Sequence, residues 1–498
     1  MSFELPVQQD LIDGSLCVPA GTREEWIEDP NTGERAQQQT VTAPEEIERA
    51  LETAWRVHTS QEWSGRSVEE RAATLMALAD ALEPRCGRIA ELESATSGAT
   101  ISTTSMLSFI VHAAFRLAAV QISEGVLSTR FEGPTGRDVE VDRLPWGPAL
   151  LLCPWNAPAP MAAHKAASAL AAGAPVIIKP PERAPHGTEA LAAATLEVDL
   201  PAGVVQVVHG GPEVGAALVA DPRIRAVSFT GGTEGGRAIA HQCAEGLKPA
   251  QLELGGHSPV VVMPDADPAL VAEGILALLT TLNGQWCRAL GRVILPATLA
   301  DAVLDATLAA LAEVRLGSSL DPESMMGPIV HSSHLAMLRD RIGQLTDLGG
   351  TTHAPTPLPG GELAGGNWLA PTLVTGVDPS HTRTEIFGPV ATVHTYDRLE
   401  EAVALANGTD YGLEAYVFGT DEDEAMSLAR QVIAGGVKVN GASPISLHLM
   451  APRPAWGISG LHDEGTVETI HFFGGNRVVG VEGSLGALAE TNEQPTEG

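Results

Sequence analysis

Lysine is nearly absent: among 498 residues it stands only at Lys165, Lys179, Lys248 and Lys438, and every other basic residue is arginine. This reads as coding bias, so each lysine that survives merits attention. Basic residues as a whole number 30 against 62 acidic ones, a formal net charge of −32. A field of that sign repels phosphate backbones and anionic bilayers, which argues against a general nucleic-acid or membrane-surface binder. Cysteine is sparse too. Cys17, Cys86, Cys153, Cys243 and Cys287 are odd in number, widely spaced and without a CxxC pair, which fits neither a disulfide framework nor a zinc site, so no metal is expected. No continuous run of about 18 apolar residues occurs, and MSFELPVQQD lacks the basic and apolar regions of a secretion signal. The expectation is a cytoplasmic protein that does not span a membrane.

What the chain does have is material for large cores. Hydrophobic residues make up 44% and charged residues 18%, and the 52 glycines and 35 prolines fall short of a low-complexity signature. At roughly 150 residues per domain the length suggests about three domains or two large ones. Residues 43–58 place Ile47, Ala50, Leu51 and Ala54 at helical spacing, and residues 68–93 continue with two more amphipathic helices. From residue 148 the rhythm changes. Apolar strand-like runs at 149–153, 176–178, 204–208, 226–229 and 259–262 alternate with Ala-rich helical stretches such as 161–172 and 187–197, the pattern of a parallel α/β sheet. A second alternation, with strands expected at 291–295, 390–395, 415–418 and 437–440, predicts a second α/β domain. Residues 130–143 read as a polar hairpin around Gly133-Pro134-Thr135-Gly136, 471–481 as a strand with no local partner, and the tail after Gly483 as loose and acidic.

Six segments carry residue types that do chemistry. Cys287, in Asn283-Gly284-Gln285-Trp286-Cys287-Arg288, follows a helix-like run and a turn-permitting glycine; a lone cysteine is more often a small buried hydrophobe. Glu253 lies between two leucines before Gly255-Gly256, where desolvation raises a carboxylate toward the range of a general base, although a salt-bridged strand end would look the same. Asn156, on the rigid Pro154-Trp155-Asn156-Ala157-Pro158 turn, offers an amide donor to an oxyanion or is an ordinary turn residue. Lys179 and Glu182 follow a strand, at the edge where α/β sheets bind ligands. Thr230-Gly231-Gly232-Thr233 opens a Gly-rich helix start suited to a pyrophosphate, though it is not GxGxxG. Glu385, in Glu385-Ile386-Phe387-Gly388-Pro389, precedes a strand and could hold a ribose.

In this order, and with Asp29-Pro30-Asn31-Thr32-Gly33, Met326-Gly327-Pro328, Pro371-Thr372-Leu373, Tyr411-Gly412-Leu413, Val439-Asn440 and Ser459-Gly460 followed by Glu464, the segments resemble the aldehyde dehydrogenase superfamily from Ile12 to about Val479. The resemblance implies two doubly wound parallel-sheet domains, a Rossmann-like cofactor domain (1–122 and 144–253) and a catalytic domain (254–460). It adds a small β oligomerisation element (123–143, with 461–498 and its tail) and a homodimer or homotetramer. It also implies roles. Cys287 is the thiolate that attacks a small-molecule aldehyde, Asn156 and the Cys287 N–H are the oxyanion hole, and Glu253 activates water to hydrolyse the thioester. For the cofactor, NAD in preference to NADP, Glu385 takes the nicotinamide ribose, with Phe387 beside it; Lys179 and Glu182 take the adenosine ribose; Thr230, Gly231 and Gly232 take the pyrophosphate; and Trp155 stands at the adenine and ribose side.

Departures from the family pattern fall along the substrate channel. Arg453 replaces an aromatic, and Ala157 and His164 stand where bulky aromatics are frequent. With Met161, Trp286 and Arg288 they form the expected substrate pocket. Two guanidinium groups suit a semialdehyde or another polar aldehyde; if both serve structural salt bridges, the small Ala157 leaves a wide pocket for an aromatic or medium-chain aldehyde. A CoA-acylating relative would lack a glutamate at 253, and a catalytically silent structural relative would not keep all the central residues.

Overall fold

In the computed structural model, which describes residues 3–133 and 136–482, the apolar runs form strands buried on both faces. Hydrophobicity without alternation is what a parallel sheet covered by helices demands. Val205–Val207, Val176–Lys179, Ala149–Leu152, Ala226–Thr230 and Ala250–Glu253 lie side by side in that order, all parallel. The order reverses between Ala149–Leu152 and Ala226–Thr230, creating a crevice at their carboxyl ends, the place where such sheets bind ligands. Asp10–Ile12 and Ser15–Cys17 extend one edge and Gly460–Leu461 the other, all three antiparallel to their neighbours. A second sheet runs Thr351–His353, Thr372–Thr375, Val390–Tyr396, Leu290–Pro296, Ser258–Val262, Glu414–Phe418, Gly436–Val439. Only its first pair is antiparallel.

The structure departs from the sequence reading at several elements. The strand expected at 471–481 begins at Gly474 and follows a helix, Thr466–Phe472. Ile470 and Phe473 are fully buried in the core of the first sheet, and this anchoring turns the chain before it extends. The strand Gly474–Gly480 then pairs antiparallel with Asp138–Pro145, which also pairs with Ser128–Glu132. Segment 461–498, expected to belong whole to the oligomerisation element and its tail, therefore divides: 461–473 completes the first sheet and its core, and 474–480 joins the hairpin. Pro134 and Thr135 of the hairpin tip and residues 483–498 lie outside the described residues. Ile101–Ser123 is long and apolar enough to cross a membrane by length and composition. It nevertheless packs against Val68–Leu82, Cys86–Ser97 and Pro158–Ala172, with Val111, Phe115, Ala119 and Ile122 inside the core.

One buried polar cluster ties the first sheet to its surroundings. His209, just beyond Val205–Val207, places Nδ1 2.9 Å from Asp10 Oδ1 and Nε2 2.8 Å from Glu189 Oε1. Thr42 closes the ring, donating from Oγ1 to Asp10 at 2.7 Å and accepting the His209 N–H at 2.6 Å. Burial alone would push the imidazole down, but hydrogen bonds to two carboxylates outweigh it and raise it to about 9. A histidine raised in the folded state adds stability that is complete below its unfolded value, near 6.5, and is lost as pH rises through the folded one. Urea unfolding is therefore expected to show a stability loss of up to about 3 kcal/mol between pH 7 and 10. His209→Gln should start lower and flatten that slope; an unchanged slope would show that His209 is not its source.

Candidate active site

The loop that leads into Cys287 is built on backbone that only certain residues adopt. Leu282, Asn283 and Gly284 take successive positive φ angles of 47°, 57° and 68°, an expensive run for side-chain-bearing residues. Asn283 offsets that cost. Its amide donates to the Gly98 and Pro328 carbonyls at 2.8 Å each and its oxygen accepts the Gly327 N–H at 2.8 Å. A Cβ on Gly284 would lie 2.5 Å from the Pro389 nitrogen. The next residue, Gln285, accepts the Val330 N–H at 3.1 Å with its buried side chain, and Cys287 follows at the end of the loop.

The Gly pair after Glu253 has a matching purpose. A Cβ on Gly256 would stand 2.1 Å from the Cys287 carbonyl oxygen, and one on Gly255 would stand 2.0 Å from Glu385 Oε2. Absence of side chains lets the end of the first sheet, the Cys287 loop and Glu385 converge. Glu385 accepts the Gly256 N–H at 2.8 Å, and burial pushes its carboxyl up to about 7. Asn156 comes from the other side of the crevice, donating from Nδ2 to the Gln285 carbonyl at 2.8 Å. An amide has two N–H donors, so one is fixed by this bond and the second is free for an oxyanion.

Glu253 ends the strand Ala250–Glu253, 6% exposed, with Oε1 buried and unpartnered. Burial first, and the nearby Glu464 second, push it up to about 8. The Cys287 thiol is driven up to about 12 by burial, with Arg288 pulling the other way and Glu253, Glu385 and Glu464 adding to the rise. A thiol in this state reacts as a nucleophile only with a proton acceptor at hand, and the ionised form of Glu253 is suited to that.

The residues expected to hold the cofactor lie along the crevice. Lys179 Nζ contacts Glu182 Oε1 at 2.8 Å and the Pro180 carbonyl at 3.1 Å. Thr230 ends its strand, Gly231 donates its N–H to the Glu253 carbonyl at 3.0 Å, and Gly232 precedes the helix Thr233–Glu245 without a capping side chain. A Cβ on Gly232 would meet open space, and Thr233 Oγ1 is buried without a partner. The first turn thus has unspent donors and room before it, which fits a pyrophosphate. Phe387, at φ 56°, stands edge-on to Trp155 with ring centroids 5.4 Å apart. His334, which the sequence did not single out, also packs edge-on against Trp155 at 5.5 Å and bonds the Phe387 carbonyl at 2.9 Å.

The expected substrate pocket is only partly assembled. Ala157, Met161 and His164 share a face at the start of the helix Pro158–Ala172 by their spacing. Trp286 does not join them. Its ring is buried in the core of the second sheet and its N–H points to the Leu278 carbonyl at 3.4 Å. The two arginines have protein partners: Arg288 Nε lies 3.4 Å from Glu414, and Arg453 Nη2 lies 3.2 Å from Glu464.

Sequence reasoning missed what Glu464 does. Buried at 5% exposure, it meets Lys165 Nζ at 2.5 Å as well as Arg453, and Lys165 also donates to Gln251 Oε1 at 2.8 Å. A signal was present in the rarity of lysine: Lys165 sits in an Ala-rich helix that offers it no partner within the segment.

The model of the aldehyde dehydrogenase family matches residues 18–479. The chain is similar to a geranial dehydrogenase of Castellaniella defragrans, 34% identical over 88% of this chain and 91% of the relative. It is also similar to a non-phosphorylating aspartate-semialdehyde dehydrogenase of Halomonas elongata, 32% identical over 93% of each. Among solved structures, a betaine aldehyde dehydrogenase from Staphylococcus aureus in complex with NAD+ superposes with a TM-score of 0.90 at 28% identity, covering 95% of this chain and 94% of the other. Family model, relatives and fold agree, and the chain belongs to the aldehyde dehydrogenase family.

Proposed function

We propose that the protein oxidises an aldehyde to a carboxylic acid, with NAD as hydride acceptor, through a thiohemiacetal and a thioester on Cys287. The observation that carries this reading is the convergence of Cys287, Asn156, Glu253 and Glu385 at one crevice, made possible by Gly255 and Gly256. Cys287 Sγ attacks the aldehyde carbon as its proton leaves toward Glu253, and the free Asn156 N–H and the Cys287 N–H receive the oxyanion. NAD supplies the hydride acceptor, held by Lys179 and Glu182 at one end, Thr230 to Gly232 in the middle, and Glu385 and Phe387 at the other. Glu253 then releases the thiol's proton to solvent, and the thioester left on Cys287 is opened by water, whose proton the freed Glu253 carboxylate takes as the thiolate departs.

On the same reading, residues 1–122 and 144–253 are the cofactor half and 254–460 the catalytic half of a cytoplasmic protein. The three-stranded sheet assembles it as a homodimer or homotetramer; Phe131, Val478 and Val479, exposed at 58%, 66% and 48%, are suited to that.

The substrate we favour is a semialdehyde or another polar, anionic aldehyde. Lys165, Arg288, Lys438 and Arg453 gather around Glu414 and Glu464, while Glu253 and Glu385 are pushed up to about 8 and about 7. Near neutral pH the centre thus has an excess of positive charge inside a chain of net charge −32. Arg453 Nε is buried without a partner. The neutral alternative, an aromatic or medium-chain aldehyde, is favoured by the carboxylate partners both arginines already have.

Cys287→Ala should abolish dehydrogenase activity and leave NAD binding, read by calorimetry, near wild type. Glu253→Gln should slow the stopped-flow burst of NADH, because the Cys287 thiol loses its proton acceptor, and turnover should stall after about one NADH per active site. Full turnover in either variant would refute the roles, and turnover that requires added CoA would assign the chain to CoA-acylating chemistry instead.

Glu182 beside the adenosine ribose accepts a 2′-OH and repels a 2′-phosphate, so kcat/KM is expected to be higher with NAD than with NADP. A preference for NADP would remove Glu182 from that position. For the substrate, Arg453→Ala should raise KM for a semialdehyde by about tenfold, equivalent to about 1.4 kcal/mol, and spare a neutral aldehyde. Equal effects on the two would favour the wide neutral pocket.

A further inference from the structure

The polar strand Gly21–Asp29, paired with Glu34–Val41 in a hairpin, touches both halves of the molecule. At its far end Glu28 accepts the Ser332 N–H at 2.8 Å and the Ser332 hydroxyl at 2.7 Å, at the start of the helix Ser332–Asp347. Arg183, the neighbour of Glu182, donates to Ser333 Oγ on that same turn at 3.2 Å. At its near end Arg23 reaches the helix Pro212–Ala220. Arg23 Nη1 lies 2.6 Å from Glu213 Oε1 and Nη2 lies 3.3 Å from Glu25 Oε1, while Nε is buried without a partner. The strand therefore flanks the end of the crevice where Lys179 and Glu182 stand.

Two glycines bring Arg23 and Lys179 onto one turn of helix. A Cβ on Gly211 would collide with Arg23 Nη1, and one on Gly215 would stand 3.7 Å from Lys179 Cε. The Gly215 N–H donates to the Gly211 carbonyl at 3.2 Å, so the two glycines bound a single turn, about 6 Å long. Arg23 sits at its start and Lys179 at its end. Glu213 belongs to the same turn, and the oxygen that meets Arg23 also accepts the Gly211 N–H at 3.1 Å. A guanidinium and an N–H at a helix start, given to one oxygen, are donors of the kind a phosphate takes. Here a carboxylate of the chain itself occupies them. With the Glu213 side chain 62% exposed, the pair adds little to folding stability, and its consequence is for what the guanidinium is free to bind.

We propose that Glu213 is a second determinant of cofactor choice, acting as a lock that keeps Arg23 from a 2′-phosphate on the adenosine ribose. This rests on the reading of Lys179 and Glu182 as the ribose ligands, and deepens it. Glu182 opposes the phosphate by its own charge. Glu213 acts through Arg23, occupying the cation that the phosphate would pair with. Releasing Arg23 therefore favours a 2′-phosphate, and removing Arg23 together with Glu213 cancels that gain, which an ion pair serving stability alone would not produce.

The test uses the full chain and two probes that differ only in the group at issue, adenosine 5′-monophosphate and adenosine 2′,5′-bisphosphate, each titrated by calorimetry. The readout is the Kd of the bisphosphate divided by that of the monophosphate. Glu213→Gln should lower this ratio by about tenfold, and adding Arg23→Gln should return it to within about twofold of wild type. An unmoved ratio in Glu213→Gln overturns the lock. So does a lowered ratio that persists in the double variant, since loss of one negative charge would then account for it without Arg23. If the double variant fails to fold, Glu213→Gln decides alone, a lowered ratio supporting the lock and an unmoved one overturning it. Lys179→Met separates the two readings. If it weakens both probes while Glu213→Gln leaves the ratio in place, the ribose position stands and the lock falls; if it weakens neither, the ribose lies elsewhere and the lock falls with that reading.

Discussion

The active centre exists because three stretches of chain approach more closely than side chains allow. Gly256 lies against the Cys287 carbonyl, Gly255 against the Glu385 carboxylate and Gly284 against the Gly388-Pro389 backbone, each with room for a hydrogen and none for a methyl group. Every other feature of the site follows from that contact. It brings the carboxyl end of the first sheet to the loop before Leu290–Pro296 of the second sheet. It buries Cys287 and Glu253 among each other's fields, and it places Glu385 where a backbone N–H can hold it. The left-handed run at Leu282 to Gly284 is the conformational cost of making the approach, and Asn283 offsets it with three hydrogen bonds.

Burial of charge is the second constraint. An ionised carboxylate or ammonium is tolerated in a protein interior only when paired and hydrogen-bonded. The chain uses all of this vocabulary around the crevice: a paired lysine at 165, a carboxylate held ionised at 464, two carboxyls pushed toward neutrality at 253 and 385, and a histidine held neutral at 164. These differences arise from surroundings, since three of the five groups are the same side chain.

How much of this the sequence reveals depends on whether a signal is local. The parallel strands were legible because burial on both faces leaves continuous apolar runs, and Val176–Lys179 or Glu414–Phe418 need no partner to be recognised. The hairpin Gly21–Asp29 with Glu34–Val41 was not legible, for its strands are largely polar and half-exposed and show no apolar alternation. At the site, Cys287, Glu253, Asn156 and Glu385 announce themselves by glycines and prolines that shape their own segments. The Lys165 to Glu464 pair joins residues from opposite ends of the chain, so no window of sequence contains both. Trp286 shows the converse: adjacency to Cys287 suggested a channel wall, while the ring is buried in the core of the second sheet.

The edge strand Gly460–Leu461 and the anchoring residues Ile470 and Phe473 have a consequence for how the molecule comes into being. The five parallel strands of the first sheet come from residues up to 253, yet its last strand and part of its core come from beyond 459, after the whole second sheet has been made. During synthesis the early half must therefore wait with an open sheet edge beside Ala250–Glu253 and an unfilled place in its core. Unpaired edges are where chains pair wrongly with their neighbours. The late-arriving segment thus acts as a latch on the nascent protein, and the residue that closes it, Gly460, pairs with Glu253 itself.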